Sequence, residues 1–185
     1  MFLDLVKSCR SYRRFDTSRK ITEDELLSIA EAVRYTPSAA NLQRIRLQLI
    51  TSQSECDTVF SSLRFAAYLK DWAGPTEEER PVAYVVFLSE CELDNNLAID
   101  LGICSEALAL SAAERGVGAC IFRSFDKDIL APVLREGFVP HEVIALGYPS
   151  ETVLVEDALN GEIKYYRDAE DRHVVPKRPM SEIVI

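Results

Sequence analysis

The longest run of apolar positions in the chain spans residues 97–113 and predicts a helix. The run contains no proline and is rich in Leu and Ala, which favour helix over strand. Asn95 or Asn96 is placed to cap its start, and Gly116 with Gly118 is placed to end it. Apolar residues lie on nearly every side, so this predicted helix has no face left for water and should be buried.

Small residues recur along the same helix at spacings of four, three, four and three, which places them on one side. They are Ala98, Gly102, Ser105, Ala109 and Ala112. A stripe of this kind lets another backbone approach closely. Two interpretations remain open, namely a helix packed inside its own domain and a helix that meets a partner subunit. The polar residues within the run argue against a transmembrane span.

A second helix is predicted by its start signals. Thr22 and Glu25 form a capping box, and Ile21 with Leu26 forms the hydrophobic staple around it. Pro37 ends this helix, and the segment PSAANLQ that follows is a loop of small and polar residues.

The remaining apolar patterns predict strands. Residues 44–51 alternate between apolar and polar positions, as a half-buried strand does, and residues 81–88 are continuously apolar, as in a strand buried on both faces. Shorter strands are predicted at 119–122, 142–146 and 183–185, helices at 54–72 and 126–135, and a polar, irregular tail from residue 164. Because the order is not a strict βαβ alternation, the predicted class is α+β.

Composition and charge narrow the possible functions. The 185 residues correspond to a single domain, 1–185, and the net charge of −9 argues against a nucleic-acid binder. Five cysteines, an odd number without a CxxC pair, predict reduced thiols. The first residues carry their charge after a short apolar segment, unlike a secretory signal, so a cytoplasmic location with no membrane association is expected.

The basic segment 7–20 stands out in this acidic chain. Its six cations, Lys7, Arg10, Arg13, Arg14, Arg19 and Lys20, accompany one acid, Asp16. Such a run is often a solvated surface. Because arginine forks and a hydroxyl such as that of Ser11 also suit a phosphate, anion binding is the alternative.

Motifs for other chemistries are missing from the sequence. There is no GxGxxG and no GK[ST] phosphate loop, and His141 and His173 have no clustered partners at metal-ligand spacing. No side chain is marked as an acid, base or nucleophile. A tightly held cofactor is therefore expected to carry the chemistry, with no metal and no catalytic side chain.

Five segments together resemble the FMN-dependent nitroreductase family. They are CRSYRRFD, PSAANLQ, IDLGICSEALALSAAERGVGACIFRSFD, ALGYPSE and YYRDAEDRHVVPKR, and they cover almost the whole chain in order. The resemblance implies a nitroreductase-like α+β fold, with an antiparallel-centred sheet flanked by helices and a C-terminal strand exchanged in a homodimer. Cys9, where the family often has Arg, and Arg123, where it often has Gly or Glu, depart from the pattern.

The resemblance also implies roles for particular residues at two FMN sites on the dimer interface. Arg10, Ser11 and Arg13 match the positions that hold the phosphate and ribityl chain, and Lys177 and Arg178 match the closing basic contacts. Pro37, Ser38, Ala39 and Asn41 match a loop that contacts flavin from the partner subunit. Arg123 and Ser124 match the place where a backbone N–H faces the flavin N5.

The implied function is ping-pong transfer of hydride from NADH or NADPH through FMN to a small organic acceptor such as a nitroaromatic or quinone. Two alternatives remain open: a flavin carrier or sequestering protein of the same fold without turnover, and a flavin-free interaction protein whose arginines bind another anion. The sequence does not predict the physiological acceptor or the choice between NADH and NADPH.

Overall fold

The computed structural model describes residues 1–65, 68–69, 72 and 74–185. Its centre is a four-stranded sheet in which every neighbouring pair is antiparallel and the strand order is β1-β2-β4-β3. The strands are β1 (Arg46–Ile50), β2 (Ala83–Ser89), β3 (Gly118–Phe122) and β4 (Val139–Gly147). The predicted α+β class and antiparallel-centred sheet are confirmed.

The central strand β2 explains why its sequence is continuously apolar. All seven of its residues are buried. Val85 and Phe87 belong to one hydrophobic cluster, and Tyr84 and Val86 belong to another on the opposite face of the sheet. Helices therefore cover both faces, which leaves no position on β2 for a solvated side chain.

Six helices accompany the sheets in the described part of the chain: α1 (Phe2–Ser8), α2 (Glu23–Ala30), α3 (Gln53–Ser62), α4 (Asn95–Glu114), α5 (Lys127–Leu130) and α6 (Met180–Ile183). The capping box of α2 is confirmed, with Thr22 and Glu25 each accepting a backbone N–H of the other. The predicted N-cap of α4 is wrong, because Asp94, not Asn95 or Asn96, accepts the Leu97 N–H at 2.8 Å. The Asp94 carboxylate also pairs with Arg44. The predicted end is confirmed, since the helix ends at Glu114 and Gly116 follows with a φ of 71°.

Helix α4 packs against the sheet through most of the small stripe. Ser105, Ala109 and Ala112 are buried within the single chain, so for them the interpretation as a partner contact is wrong. The exposed face of α4 is a different one from the small stripe, and it carries Ile99 and Ile103, which are 62% and 37% exposed. By length and composition alone α4 is apolar enough to cross a membrane, and core helices meet the same criterion.

A second sheet lies where an irregular tail was predicted, and that prediction is wrong. Its strands are β5 (Val153–Asp157), β6 (Tyr166–Arg167) and β7 (His173–Lys177), in the order β5-β7-β6. Pro176 is tolerated within β7 because β6 pairs only with His173 and Val174, so no neighbour needs the missing N–H on that side.

Three predicted elements differ from the structure. Helix α5 ends at Leu130 and is followed by a 3₁₀ turn over Ala131–Val133, instead of continuing to residue 135. Helix α3 ends at Ser62 instead of continuing to residue 72, and residues 66, 67, 70 and 71 of that predicted helix lie outside the described residues. Met180–Ile183 forms a helical turn and Val184 and Ile185 are exposed, so no strand forms over 183–185 within one chain. Exchange of this segment with a partner stays a prediction.

Candidate functional site

The N-terminal basic segment is fixed across the ends of β3 and β4. Tyr12 donates its backbone N–H to Ala119 O at 3.0 Å, and Asp16 donates to Tyr148 O at 2.8 Å. The chain comes so close that a Cβ on Gly147 would lie 2.8 Å from the Phe15 ring. The glycine of the sequence GYP therefore makes room for the segment, which places Arg10, Ser11 and Arg13 beside the sheet.

These residues form one wall of a cavity of about 310 Å³. The other walls come from α4, β3 and the second sheet. The lining residues are Cys9, Arg10, Ser11, Arg13, Glu106, Ala109, Ala119, Ile121, Tyr165, His173, Val175 and Lys177. Four of the predicted site residues, from the two ends of the sequence, thus meet in one cavity.

The two cavity arginines are held by neutral groups. Arg10 Nη2 donates to Val6 O at 2.8 Å, and its buried Nε has no partner among the described residues. Arg13 Nη1 donates to Ser11 O at 3.2 Å and lies 3.1 Å from His173 Nε2, while the Arg13 guanidinium lies 4.9 Å from the centre of the Tyr165 ring. No carboxylate in the described ranges pairs with either guanidinium, so both positive charges remain available to a ligand.

Two neighbouring arginines, Arg14 and Arg167, differ from Arg10 and Arg13 because carboxylates pair with them. Arg14 pairs with Asp171 at 2.5 Å and with Glu79 at 3.5 Å, and Arg167 pairs with Glu151 at 2.6 Å. The buried Glu151 carboxylate also accepts the backbone N–H groups of Arg13 and Arg14. It therefore fixes the backbone of the basic segment while leaving the Arg13 side chain unpaired.

The cavity electrostatics follow from these contacts. Glu106 is the one acid among the lining residues. The pKa of the Cys9 thiol is raised, mainly by burial and secondly by the negative charge of Glu106. Burial and then the Arg13 charge lower the pKa of His173 to about 4. His173 is consequently neutral at pH 7.

Sequence reasoning missed His173 and Tyr165 as members of this site. A signal existed for His173, because His173, Val175 and Lys177 alternate along β7 and therefore face the same side. This alternation predicts a shared face only once the segment is known to be a strand.

The loop of Pro37, Ser38 and Ala39 lies elsewhere. It lines a separate cleft of about 160 Å³ with Ile99 and Ile103 of α4. Along the helix, Ile103 precedes Glu106 by three residues and Ile99 precedes it by seven, which correspond to about 5 and 10 Å. Within one chain the loop does not reach the arginine cavity.

This loop is held in an unusual backbone conformation. Ala40, Asn41 and Gln43 have φ values of 51°, 54° and 48°, in the left-handed region that non-glycine residues seldom adopt. The Ala39 N–H donates to Asp100 Oδ1 at 2.9 Å, which ties the loop to α4. Strain maintained by surrounding contacts is common at ligand sites.

The remaining predicted residues lie outside the cavity lining. Arg123 and Ser124 directly follow β3 and are exposed, and Ser124 O accepts the Arg64 N–H at 3.0 Å. Arg178 pairs with Glu182 at 2.8 Å. Among the residues that the structure describes, no group of three or more His, Cys, Asp or Glu side chains forms a metal site.

Comparison with known proteins identifies this architecture. The model of the nitroreductase family matches residues 6–92. A nitroreductase family protein from Clostridium difficile 630 superposes with a TM-score of 0.67 at 19% identity, over 100% of this chain and 97% of that one. A nitroreductase with bound FMN from Bacteroides fragilis NCTC 9343 has a TM-score of 0.64 at 19% identity, over 87% of this chain and 96% of that one. The chain has the nitroreductase fold.

The resemblance of the sequence to the nitroreductase family is thereby confirmed. The Bacillus subtilis protein YdgI, which carries a provisional NAD(P)H nitroreductase name, is 24% identical, with 79% of this chain and 87% of that protein covered. The structural likeness extends past the matched residues 6–92 to include the second sheet, which supplies His173 and Lys177 to the cavity.

Proposed function

We propose that this nitroreductase-like chain is an FMN-dependent oxidoreductase that takes hydride from NAD(P)H and delivers it to a small organic acceptor such as a nitroaromatic or quinone. The observation that carries the proposal is the pair of arginines, Arg10 and Arg13, which face a cavity and which, among the described residues, are held by neutral groups. The net charge of the protein is −9, so acid partners for these two arginines would be easy to supply. Because the described residues supply none, we infer that the cavity binds an anion.

The donor set fits the phosphate end of FMN. Arg10, Arg13 and Lys177 line the cavity with the Ser11 hydroxyl, and a dianionic phosphate accepts hydrogen bonds from guanidinium, ammonium and hydroxyl groups. The buried, unpartnered Arg10 Nε is a further donor at this wall. FMN, when bound, supplies the acceptance and release of hydride.

The protein's own contribution is binding and electrostatics. Arg10, Arg13 and Ser11 fix the phosphate, and Lys177 adds positive charge that lowers the energy of an anionic ligand in the cavity. Glu106, which also lines the cavity, limits that positive potential. The roles of Arg123 and Ser124 at the flavin ring belong to this proposal as well. Arg178, which pairs with Glu182 outside the cavity lining, is not assigned a flavin contact.

A homodimer completes the proposed site. The loop of Pro37, Ser38 and Ala39 lines a cleft of its own on α4, separate from the arginine cavity, so we infer that the loop, with Asn41, contacts the flavin held by the partner subunit. A two-fold partner packed on the exposed Ile99 and Ile103 face of α4 would deliver its loop to this chain's cavity.

The dimer is tested by two substitutions on opposite faces of α4. Ile103→Asp on the exposed face should give monomers with little bound flavin, measured by sedimentation and absorbance. Ala112→Leu, in the core on the opposite side of α4, should instead lower stability by roughly 1–3 kcal/mol through overpacking. An Ile103→Asp variant that stays dimeric and keeps its flavin would contradict the proposed interface.

The visible spectrum of the purified protein tests the function. The protein should be yellow, should release FMN and not FAD on denaturation, and should bleach on anaerobic NADH or NADPH much faster than free FMN does. Bound flavin that is not reduced would indicate the carrier alternative. A protein that neither contains nor takes up FMN would overturn the proposal and favour the flavin-free alternative.

A further inference from the structure

We propose that His173 is a positioning residue that holds the Arg13 guanidinium at the cavity wall without neutralising its charge. The inference rests on the proposed function, because the ligand that needs this charge is the terminal phosphate of FMN. The geometry that carries it is the 3.1 Å contact between Arg13 Nη1 and His173 Nε2 at a side chain that is only 1% exposed.

The chemistry of the two groups fixes the protonation state of the histidine. A guanidinium has donors and no acceptor, so His173 Nε2 must be the acceptor in this contact. The ring proton then lies on Nδ1, which is buried and has no partner among the described residues. His173 is thus neutral and adds no charge to the wall.

The ring is held in place by its surroundings. His173 lies on β7 between two paired strands, and its backbone N–H donates to Thr152 O at 2.8 Å. The Tyr165 ring packs against the imidazole with centroids 5.1 Å apart. A fixed acceptor restricts the Arg13 side chain, which reduces the entropy lost when a ligand binds.

Comparison with Arg14 shows how an imidazole differs from a carboxylate as a partner for arginine. Arg14 is also fixed, but by the carboxylates of Asp171 and Glu79, which compensate its charge. The nearest buried carboxylate, Glu151, is engaged by Arg167 and by backbone N–H groups. Arg13 therefore receives the same restraint from a neutral group.

The acceptor state holds over a wide pH range. The charged groups that act on His173 are Arg13, Arg167 and Glu151, and the phenol of Tyr165 packs on its ring. Burial and then Arg13 lower the pKa of His173 to about 4, so the ring stays neutral through the physiological range.

Three variants with two ligands test the proposal. His173→Leu removes the acceptor, His173→Gln supplies a neutral acceptor, and His173→Glu supplies a charged one that would pair with Arg13. Affinity is measured by fluorescence titration with FMN and with riboflavin, which lacks the phosphate. We expect the Leu and Glu variants to lose about tenfold in FMN affinity while keeping riboflavin affinity, and the Gln variant to stay within about threefold of wild type.

Equal losses for FMN and riboflavin would mean that His173 is merely structural, and unchanged FMN affinity in the Leu variant would also overturn the proposal. Either result leaves the proposed function intact as long as the wild type binds FMN. If the Leu and Glu variants fail to fold, nitrogen NMR of the wild type decides. The proton should lie on Nδ1 of His173 at pH 7, and a proton on Nε2 would contradict the inference.

Discussion

The arginines around the cavity fall into two groups. The first group consists of Arg10 and Arg13, and the second consists of Arg14 and Arg167. The second group is paired with the carboxylates of Asp171, Glu79 and Glu151, whereas the first is held by backbone carbonyls, an imidazole and an aromatic ring. The paired group stabilises the join between the basic segment and the second sheet. The first group has no carboxylate partner in the described part of the chain, so its charge is left for the ligand that we propose.

The comparison separates two uses of the same residue type. A buried charge is costly unless it is paired, which explains why Arg167, with a side chain 13% exposed, pairs with Glu151, whose side chain is 2% exposed. Arg13 instead lies at a cavity, where the proposed ligand would take the place of an acid partner. In this protein, the absence of an acid partner among the described residues is therefore a better guide to the proposed binding site than the presence of arginine.

The largest expected effect is on the paired group. Glu151→Ala leaves the Arg167 charge buried and removes the acceptor of two backbone N–H groups, so the free energy of unfolding should fall by about 3–5 kcal/mol. Urea denaturation measures it, with Glu151→Gln as the matched control of nearly equal shape. A loss below about 1 kcal/mol would mean that this pair does not hold the basic segment.

The next effect concerns pH and His173. Its pKa is lowered from 6.5 to about 4 by burial and the Arg13 charge, so between these values the unfolded chain binds a proton that the folded chain does not. The free energy of unfolding should therefore fall as the pH drops from 6.5 to 4, by up to about 3 kcal/mol. His173→Gln should remove this slope.

The difference between wild type and variant is the quantity to measure, because Glu142 titrates in an overlapping range. Burial raises the pKa of Glu142 to about 7 from 4.5, which lowers stability as the pH rises through that range. This opposing slope is present in both proteins and cancels in the difference. Parallel curves for wild type and His173→Gln would contradict the neutral, buried state of His173.

A smaller effect extends the comparison to two adjacent cations. Lys177 lines the cavity and has no ion pair in the part of the chain that is described, whereas Arg178 pairs with Glu182. Lys177→Ala should weaken FMN binding roughly threefold to fivefold, since its exposed ammonium is partly screened. Arg178→Ala, the matched control, should change the affinity less than twofold. The reverse order would assign the phosphate contact to Arg178.

Strong local patterns predicted the parts of the fold that depend on local physics. The capping box of α2 and the continuously apolar β2 each specify their own structure, because a cap and a doubly buried strand need nothing distant to be recognised. The stripe on α4 shows the limit of such reasoning. Periodicity placed Ser105, Ala109 and Ala112 on one side, but which neighbour covers that side depends on the tertiary fold.

The site was predictable only in part for the same reason. The match of the family motifs brought forward Arg10, Ser11, Arg13 and Lys177, which the structure places in one cavity. His173 was not predicted, because its strand contains Pro176 and is defined by pairing with distant segments. The contact between Arg13 and His173 joins residues 160 positions apart, and no local pattern encodes it.

The central claim is that the unpaired arginines select the phosphate of FMN, and the most direct test compares Arg13→Ala with Arg14→Ala. Each purified variant is titrated with FMN and with riboflavin. The account predicts that Arg13→Ala loses about tenfold to a hundredfold in FMN affinity with riboflavin affinity unchanged, while Arg14→Ala keeps the wild-type preference for FMN even if it is less stable. Equal effects of the two substitutions, or a wild type that binds riboflavin as tightly as FMN, would contradict it.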